Sequence, residues 1–122
     1  MRVVITAAYK YAYDFNDEKG KPVKGIKCVI HGFKTTTSQR EEMTGRETFE
    51  YRASKDMVEV IAANLKQAKL TPLVAEIELD EQGGRLIVAN YTPEGMFGRE
   101  YIFGPDGSLV KVPTNKPAPA QT

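Results

Sequence analysis

Two side chains of this sequence have the chemistry of a nucleophile and its base, and each occurs once: Cys28 and His31. Alternate residues of a strand point to opposite faces, so two residues three apart cannot meet as a nucleophile and base pair without an irregularity. Metal ligation fails as well. No two Cys or His residues stand at zinc spacing, and Asp14, Asn16 and Glu18 match a calcium loop only in part, since Lys19 takes the place of the required glycine and Gly25 that of the closing glutamate. Gly83 and Gly84 are not followed by the lysine and helix of a phosphate loop, and the run Thr44, Gly45, Arg46 enters a strand where a serine elbow would need a helix. These residues predict no enzyme and no cofactor. A single cysteine makes no internal disulfide, and Cys28 reads as a small buried hydrophobe in a reducing compartment.

The side chains that could act are rings and cations. Binding a single nucleic-acid strand needs exposed aromatic faces for the bases and basic side chains along the phosphates. Tyr9, Tyr11, Tyr13, Phe15, Phe33, Phe49, Tyr51 and Tyr91 are candidate rings, several of which must build the core. Lys10, Lys21, Lys24, Lys27, Lys34, Arg40, Arg46 and Arg52 are candidate cations. The net charge is only +1, yet residues 1–53 hold ten Lys and Arg against seven Asp and Glu, while the remainder holds seven against nine. The basic side is the N-terminal half.

These residues sit on recognisable elements. In residues 2–15 the odd positions Val3, Ile5, Ala7, Tyr9, Tyr11, Tyr13 and Phe15 share one strand face. Its first half is aliphatic, as a core wall would be, and its second half aromatic, with the change expected near Ala7 to Tyr9. Asn16 to Pro22 reads as a hairpin tip. A second strand over 23–34 carries Gly25 and Gly32, where a bulge or bend would curl the sheet. A bulge at Gly25 would bring Lys24 and Lys27 to one face. A polar connection over 34–45 follows, then a strand over 46–53 with Phe49 and Tyr51 on one side. Ser54 suits an N-cap, Asp56 the positive helix end, and Val58, Ile61, Ala62 and Leu65 repeat at helical spacing until Pro72 forbids continuation. Strands over 73–79 and 85–91 flank a turn at 80–84, and a small hairpin pairs 99–103 with 109–112. Residues 113–122 read as a flexible Pro/Ala-rich tail following a single domain over 1–112. The chain has no apolar run long enough to span a bilayer, and Lys10 and Asp14 interrupt its start too early for a signal peptide; a cytoplasmic protein is expected.

Three strands, one helix, two strands and a hairpin is the order of a mainly β, five-stranded OB-like Greek-key barrel with its helix between strands three and four. The run from Tyr13 to Gly25, a strand, a charged turn at Gly20, Lys21 and Pro22 and a returning strand, resembles the opening hairpin of small OB-fold single-stranded DNA-binding proteins of phages and conjugative plasmids. The resemblance covers the opening third of the chain. Tryptophan is absent, and the tail lacks the acidic apolar tip by which cellular relatives recruit partners. The resemblance therefore implies coating and protection of single strands during replication or transfer, without recruitment. On this reading Tyr11, Tyr13, Phe33 and Tyr51 stack bases while Lys24, Lys27, Lys34, Arg46 and Arg52 hold phosphates. The alternative is an accessory module that docks on a host protein through strand edges or through Phe97, Tyr101 and Phe103 on the last hairpin, where residual apolar surface would equally support a homodimer.

Overall fold

The computed structural model describes residues 1–37 and 45–113. The sequence readings on Arg40, on the rest of 38–44 and on the tail beyond residue 113 lie outside the described residues. The elements run β1 (Arg2–Asn16), β2 (Pro22–Thr37), β3 (Arg46–Arg52), α1 (Lys55–Gln67), β4 (Leu73–Gln82), β5 (Arg85–Met96), β6 (Tyr101–Phe103) and β7 (Leu109–Lys111). The first five strands close into a barrel in the order β1, β2, β3, β5, β4, and β6 pairs with β7 as a separate two-stranded sheet. This is the expected OB-like barrel, with α1 between the third and fourth strands. The polar connection is shorter than the sequence suggested, because β2 continues to Thr37 and pairs there with Arg46.

The core lies inside the barrel and under the helix. Val3, Ile5, Ile30, Phe49, Val58, Ile61, Leu65, Leu73, Ala75, Ile77 and Val88 form one buried cluster. Helix α1 presents Val58, Ile61 and Leu65 to it, the helical spacing that puts one stripe inward. Its start is capped as expected, the Ser54 hydroxyl oxygen accepting from the Met57 amide at 3.1 Å. The β4–β5 turn is tight: Gln82 pairs with Arg85, and Gly83 and Gly84 take φ of 58° and 78°, both in the left-handed region that a two-residue hairpin of this type demands.

A single irregularity sets the geometry of the first hairpin. Ile5 pairs with Gly32 but Ala7 with His31, so Thr6 is an extra residue in β1, a bulge that reverses which side of the sheet the following residues occupy. Val3 and Ile5 belong to the core, and beyond the bulge Ala8 takes that side. The odd positions are therefore not one stripe. Tyr9, Tyr11, Tyr13 and Phe15 stand on the outer face, opposite to Val3 and Ile5, and the change falls at Thr6, slightly ahead of its expected place. Gly32 permits the turn: a Cβ there would sit 2.0 Å from the Val4 carbonyl oxygen and 3.0 Å from the Ile5 Cα. Gly25 has a different purpose. Its pairing with Tyr13 is in unbroken register, so the anticipated bulge is absent and Lys24 and Lys27 stay on opposite faces. A Cβ at Gly25 would overlap the Tyr13 ring, 2.3 Å from its hydroxyl oxygen, and the missing side chain lets that ring lie across the neighbouring strand.

β1 pairs with β4 only over residues 2–5, and β2 meets β3 only from Val29 onward. Residues 9–16 and 22–28 consequently form a two-stranded arm whose strands pair with each other. At the far end of the same hairpin the outer face is covered. Val4 and Val74, paired with each other, are fully buried although neither joins the core cluster. Phe33, paired with Val4, meets the Phe97 ring edge-on at 5.7 Å and Phe103 at 6.1 Å. The C-terminal hairpin forms this second cover, so Phe97, Tyr101 and Phe103 are half-buried packing residues where the sequence suggested exposed ones.

Candidate nucleic-acid interface

The outer face of the arm carries four rings in a row because each is separated from the next by one residue of an uninterrupted strand. Tyr9 and Tyr11 stack at 5.9 Å with planes 26° apart, and Tyr13 and Phe15 follow at 6.1 Å. All four are exposed, Phe15 to 53%. Burial of large rings is the usual outcome of folding, so four uncovered ones in line leave stacking surface open to a planar ligand.

Beside the rings, β2 and β3 contribute a polar strip. Register places Tyr9, Val29 and Arg52 in one row and His31 against Glu50 in the next. The His31 Nε2 lies 2.9 Å from the Tyr9 hydroxyl and 3.4 Å from a Glu50 oxygen. Lys27 Nζ stands 3.2 Å from Glu50 and 5.8 Å from the centre of the Tyr11 ring. The Tyr11 hydroxyl and then the Glu50 carboxylate hold Lys27 above the ordinary lysine value. Lys27, followed by His31, holds Glu50 below the ordinary carboxylate value. Lys27 is thereby fixed against the ring it flanks, a cation already seated at the edge of a stacking surface.

Where the arm leaves the barrel, Lys27, Glu50, Tyr51, Arg52, Arg85 and Leu86 line an open cleft of about 330 Å³. Arg85 arrives there because β5 runs parallel to β3 at this point, Arg52 pairing with Ile87. Among the described residues, three cations and one carboxylate line it, a composition suited to an anion such as a phosphodiester. Arg85 was not among the residues singled out from sequence. It lies in the net-acidic half of the chain, and only the closure of the barrel brings it to the arm. His31 was dismissed with catalysis, yet it belongs to the polar strip. Tyr9 and Phe15, candidate rings in the sequence but not among the four expected to stack bases, are exposed on this same face.

The nine residues expected at the interface divide by location. Tyr11, Tyr13, Lys27 and Arg52 share the outer face of the arm and its base. Phe33 and Arg46 are on the same face but at its covered end: the Arg46 guanidinium lies 3.7 Å above the Phe103 ring and donates to the carbonyls of Thr35, at 2.7 Å, and Gly107, bracing β3 against the C-terminal hairpin. Tyr51 faces inward, stacked on Phe49 at 4.8 Å, and reaches the cleft only from that side. Lys34, paired with Val3, lies 3.3 Å from Glu47 at the far end of β2. Lys24 is 4.0 Å from Asp14 on the opposite side of the arm. Among the described residues no group of His, Cys, Asp and Glu is arranged to hold a metal ion, and no helix is long and apolar enough to cross a membrane. Comparison with protein-family models, with curated proteins and with solved structures finds no match.

Proposed function

We propose that this protein binds single-stranded DNA without chemistry and largely without regard to sequence, bases stacking along Tyr9, Tyr11, Tyr13 and Phe15 while phosphates pass Lys27, Arg52 and Arg85. The observation that carries this reading is the run of four exposed rings on one face of the arm, leading to a cleft lined by Lys27, Arg52 and Arg85 together with Glu50. Every base has a face to stack, so a ring platform tolerates all sequences, while the cations supply the salt-dependent part of the affinity. The resemblance of the β1–β2 hairpin to phage and plasmid single-strand binders favours DNA and a cytoplasmic role in coating single strands during replication or transfer of a mobile element.

Titration of a labelled oligo-dT by fluorescence anisotropy at two salt concentrations tests the proposal. Saturable binding is expected at micromolar protein, with log K falling linearly in log salt by about 0.7 per phosphate neutralised. Absence of saturation, or binding indifferent to salt, refutes it. A second reading draws on Ile26, 59% exposed on the other face of the arm: a module that docks on a protein partner without nucleic acid. It becomes the better reading if the folded protein ignores the oligonucleotide.

A further inference from the structure

The two free edges of the arm differ. Residues 22–28 of β2 carry Pro22, Lys24 and Lys27, with Lys21 just before them, and proline and lysine are what sheets use to stop an edge from recruiting another strand. The edge of β1 is less protected, with the single lysine Lys10. Its residues 9–15 read Tyr, Lys, Tyr, Ala, Tyr, Asp, Phe, with no proline and with one charge of each sign. The helix lines a shallow cleft with Thr6, Ala7 and Ala8 of β1 through Ala62, Leu65, Lys66 and Leu70. Glu59 accepts from the Lys10 Nζ at 2.7 Å, a side-chain contact that an incoming Asp14 would share and that leaves the backbone edge of β1 without a strand. From Tyr9 onward no strand other than β2 pairs with β1 among the described residues.

This run is self-complementary. Laid antiparallel against a second copy and centred on Ala12, it sets Lys10 opposite Asp14 and Asp14 opposite Lys10, Tyr11 opposite Tyr13, and Tyr9 opposite Phe15. Opposite charges and aromatic pairs are the cross-strand neighbours that stabilise a sheet, whereas a parallel arrangement would set Lys10 against Lys10 and Asp14 against Asp14. The smallest side chain, Ala12, falls on the two-fold axis, where each copy meets itself. We propose that two copies of this chain associate through antiparallel pairing of β1 residues 9–15 about a two-fold axis at Ala12. The symmetry is isologous and closes, so pairing stops at the dimer. It joins the two arms into one four-stranded sheet whose outer face holds the four rings of each copy side by side.

This association requires no nucleic acid and is tested without it, so its failure leaves the proposed binding untouched. Sedimentation equilibrium of the full chain, from low micromolar to near millimolar concentration, is expected to show a reversible monomer–dimer equilibrium. Lys10→Asp and Asp14→Lys should each weaken self-association roughly tenfold, because two attractive cross-strand pairs become repulsive. Mixed together, the two variants should recover a heterodimer as tight as the parent dimer, since Asp at position 10 then faces Lys at position 14 and Lys10 faces Asp14. Recovery also shows that both variants fold. As an independent measurement, Ala12→Cys in a Cys28→Ser background should cross-link under mild oxidation, while Lys19→Cys at the hairpin tip should not. A parent chain that stays monomeric throughout, single variants that associate as well as the parent, a mixture that gains nothing, or equal cross-linking at both cysteine positions each overturns the proposal.

Discussion

One hairpin contains two environments. In the barrel half of β1–β2, Val3, Val4, Ile5, Val29 and Ile30 are fully buried, closed in by the core on one side and by neighbouring side chains on the other. In the arm half the same two strands, in the same register, expose Tyr9, Tyr11, Tyr13, Phe15 and Ile26. Local propensity does not separate the halves, since both are rich in β-branched and aromatic residues. What differs is the number of strand partners. The barrel half has β3 and β4, with the helix and the C-terminal hairpin over its faces, whereas the arm strands pair with each other and meet the rest of the molecule through side chains such as Lys10 on Glu59 and Lys27 on Glu50. A strand is held by what lies against its faces, and the arm's faces are left open to something outside the barrel.

The contrast can be broken most forcefully at two isoleucines on the same side of β2. Ile30→Ala should cost about 2–5 kcal/mol of stability, and Ile26→Ala less than about 0.5 kcal/mol, in urea unfolding. Gly32→Ala comes next. Its Cβ would meet backbone atoms that cannot rotate away, and a loss near the upper end of about 1–3 kcal/mol is expected by the same measurement. The rings sharpen the division from another direction. Tyr51→Ala should lower the melting temperature, whereas Tyr11→Ala should leave it unchanged and weaken oligo-dT binding by about 1–3 kcal/mol in anisotropy titrations. At the base of the arm, Arg52→Gln and Arg85→Gln should each reduce the salt slope of binding by about 0.7, the share of one phosphate.

The smallest effect is one of pH. The folded protein holds Glu50 below its ordinary value of 4.5, chiefly through Lys27. A carboxyl depressed in the folded state contributes stability that is present above its unfolded value and lost as pH falls through the folded one. The carboxylate is open to solvent, so the acid shift of the unfolding midpoint should be slight. Glu50→Gln should abolish that part of it in urea titrations across the acid range. The same variant should tighten oligo-dT binding, because it removes a carboxylate from the lining of the cationic cleft.

Much of the architecture was legible in the order of turn signals. Ser54 and Pro72 bracket the helix, Gly83 and Gly84 mark a hairpin, and the alternation of Phe49 and Tyr51 against Arg52 holds in the structure. Two things were hidden. The run from Val3 to Ala8 is apolar at all positions but Thr6, so an extra residue within it leaves no mark on the hydrophobic pattern. Both faces of that run are covered, the outer one at Val4 by a hairpin about a hundred residues further along the chain. The site suffered for the same reason. Alternation showed which residues share a side with Tyr51 but not that this side faces the barrel interior. Arg85 and Arg46 owe their positions to contacts across long sequence separations, one drawn to the cleft and the other spent on the Phe103 ring.

The bulge at Thr6 makes the ring surface more sensitive to chain length than to chain chemistry. Deleting that one residue would act on the arm as a frameshift acts on a gene: every later side chain of β1 would change sides with no alteration in composition. Lys10, Ala12 and Asp14 would stand where the rings now stand, and four aromatics would turn toward the helix. Substitutions can wear the platform down one ring at a time, but a single insertion or deletion between Ile5 and Tyr9 would invert it whole.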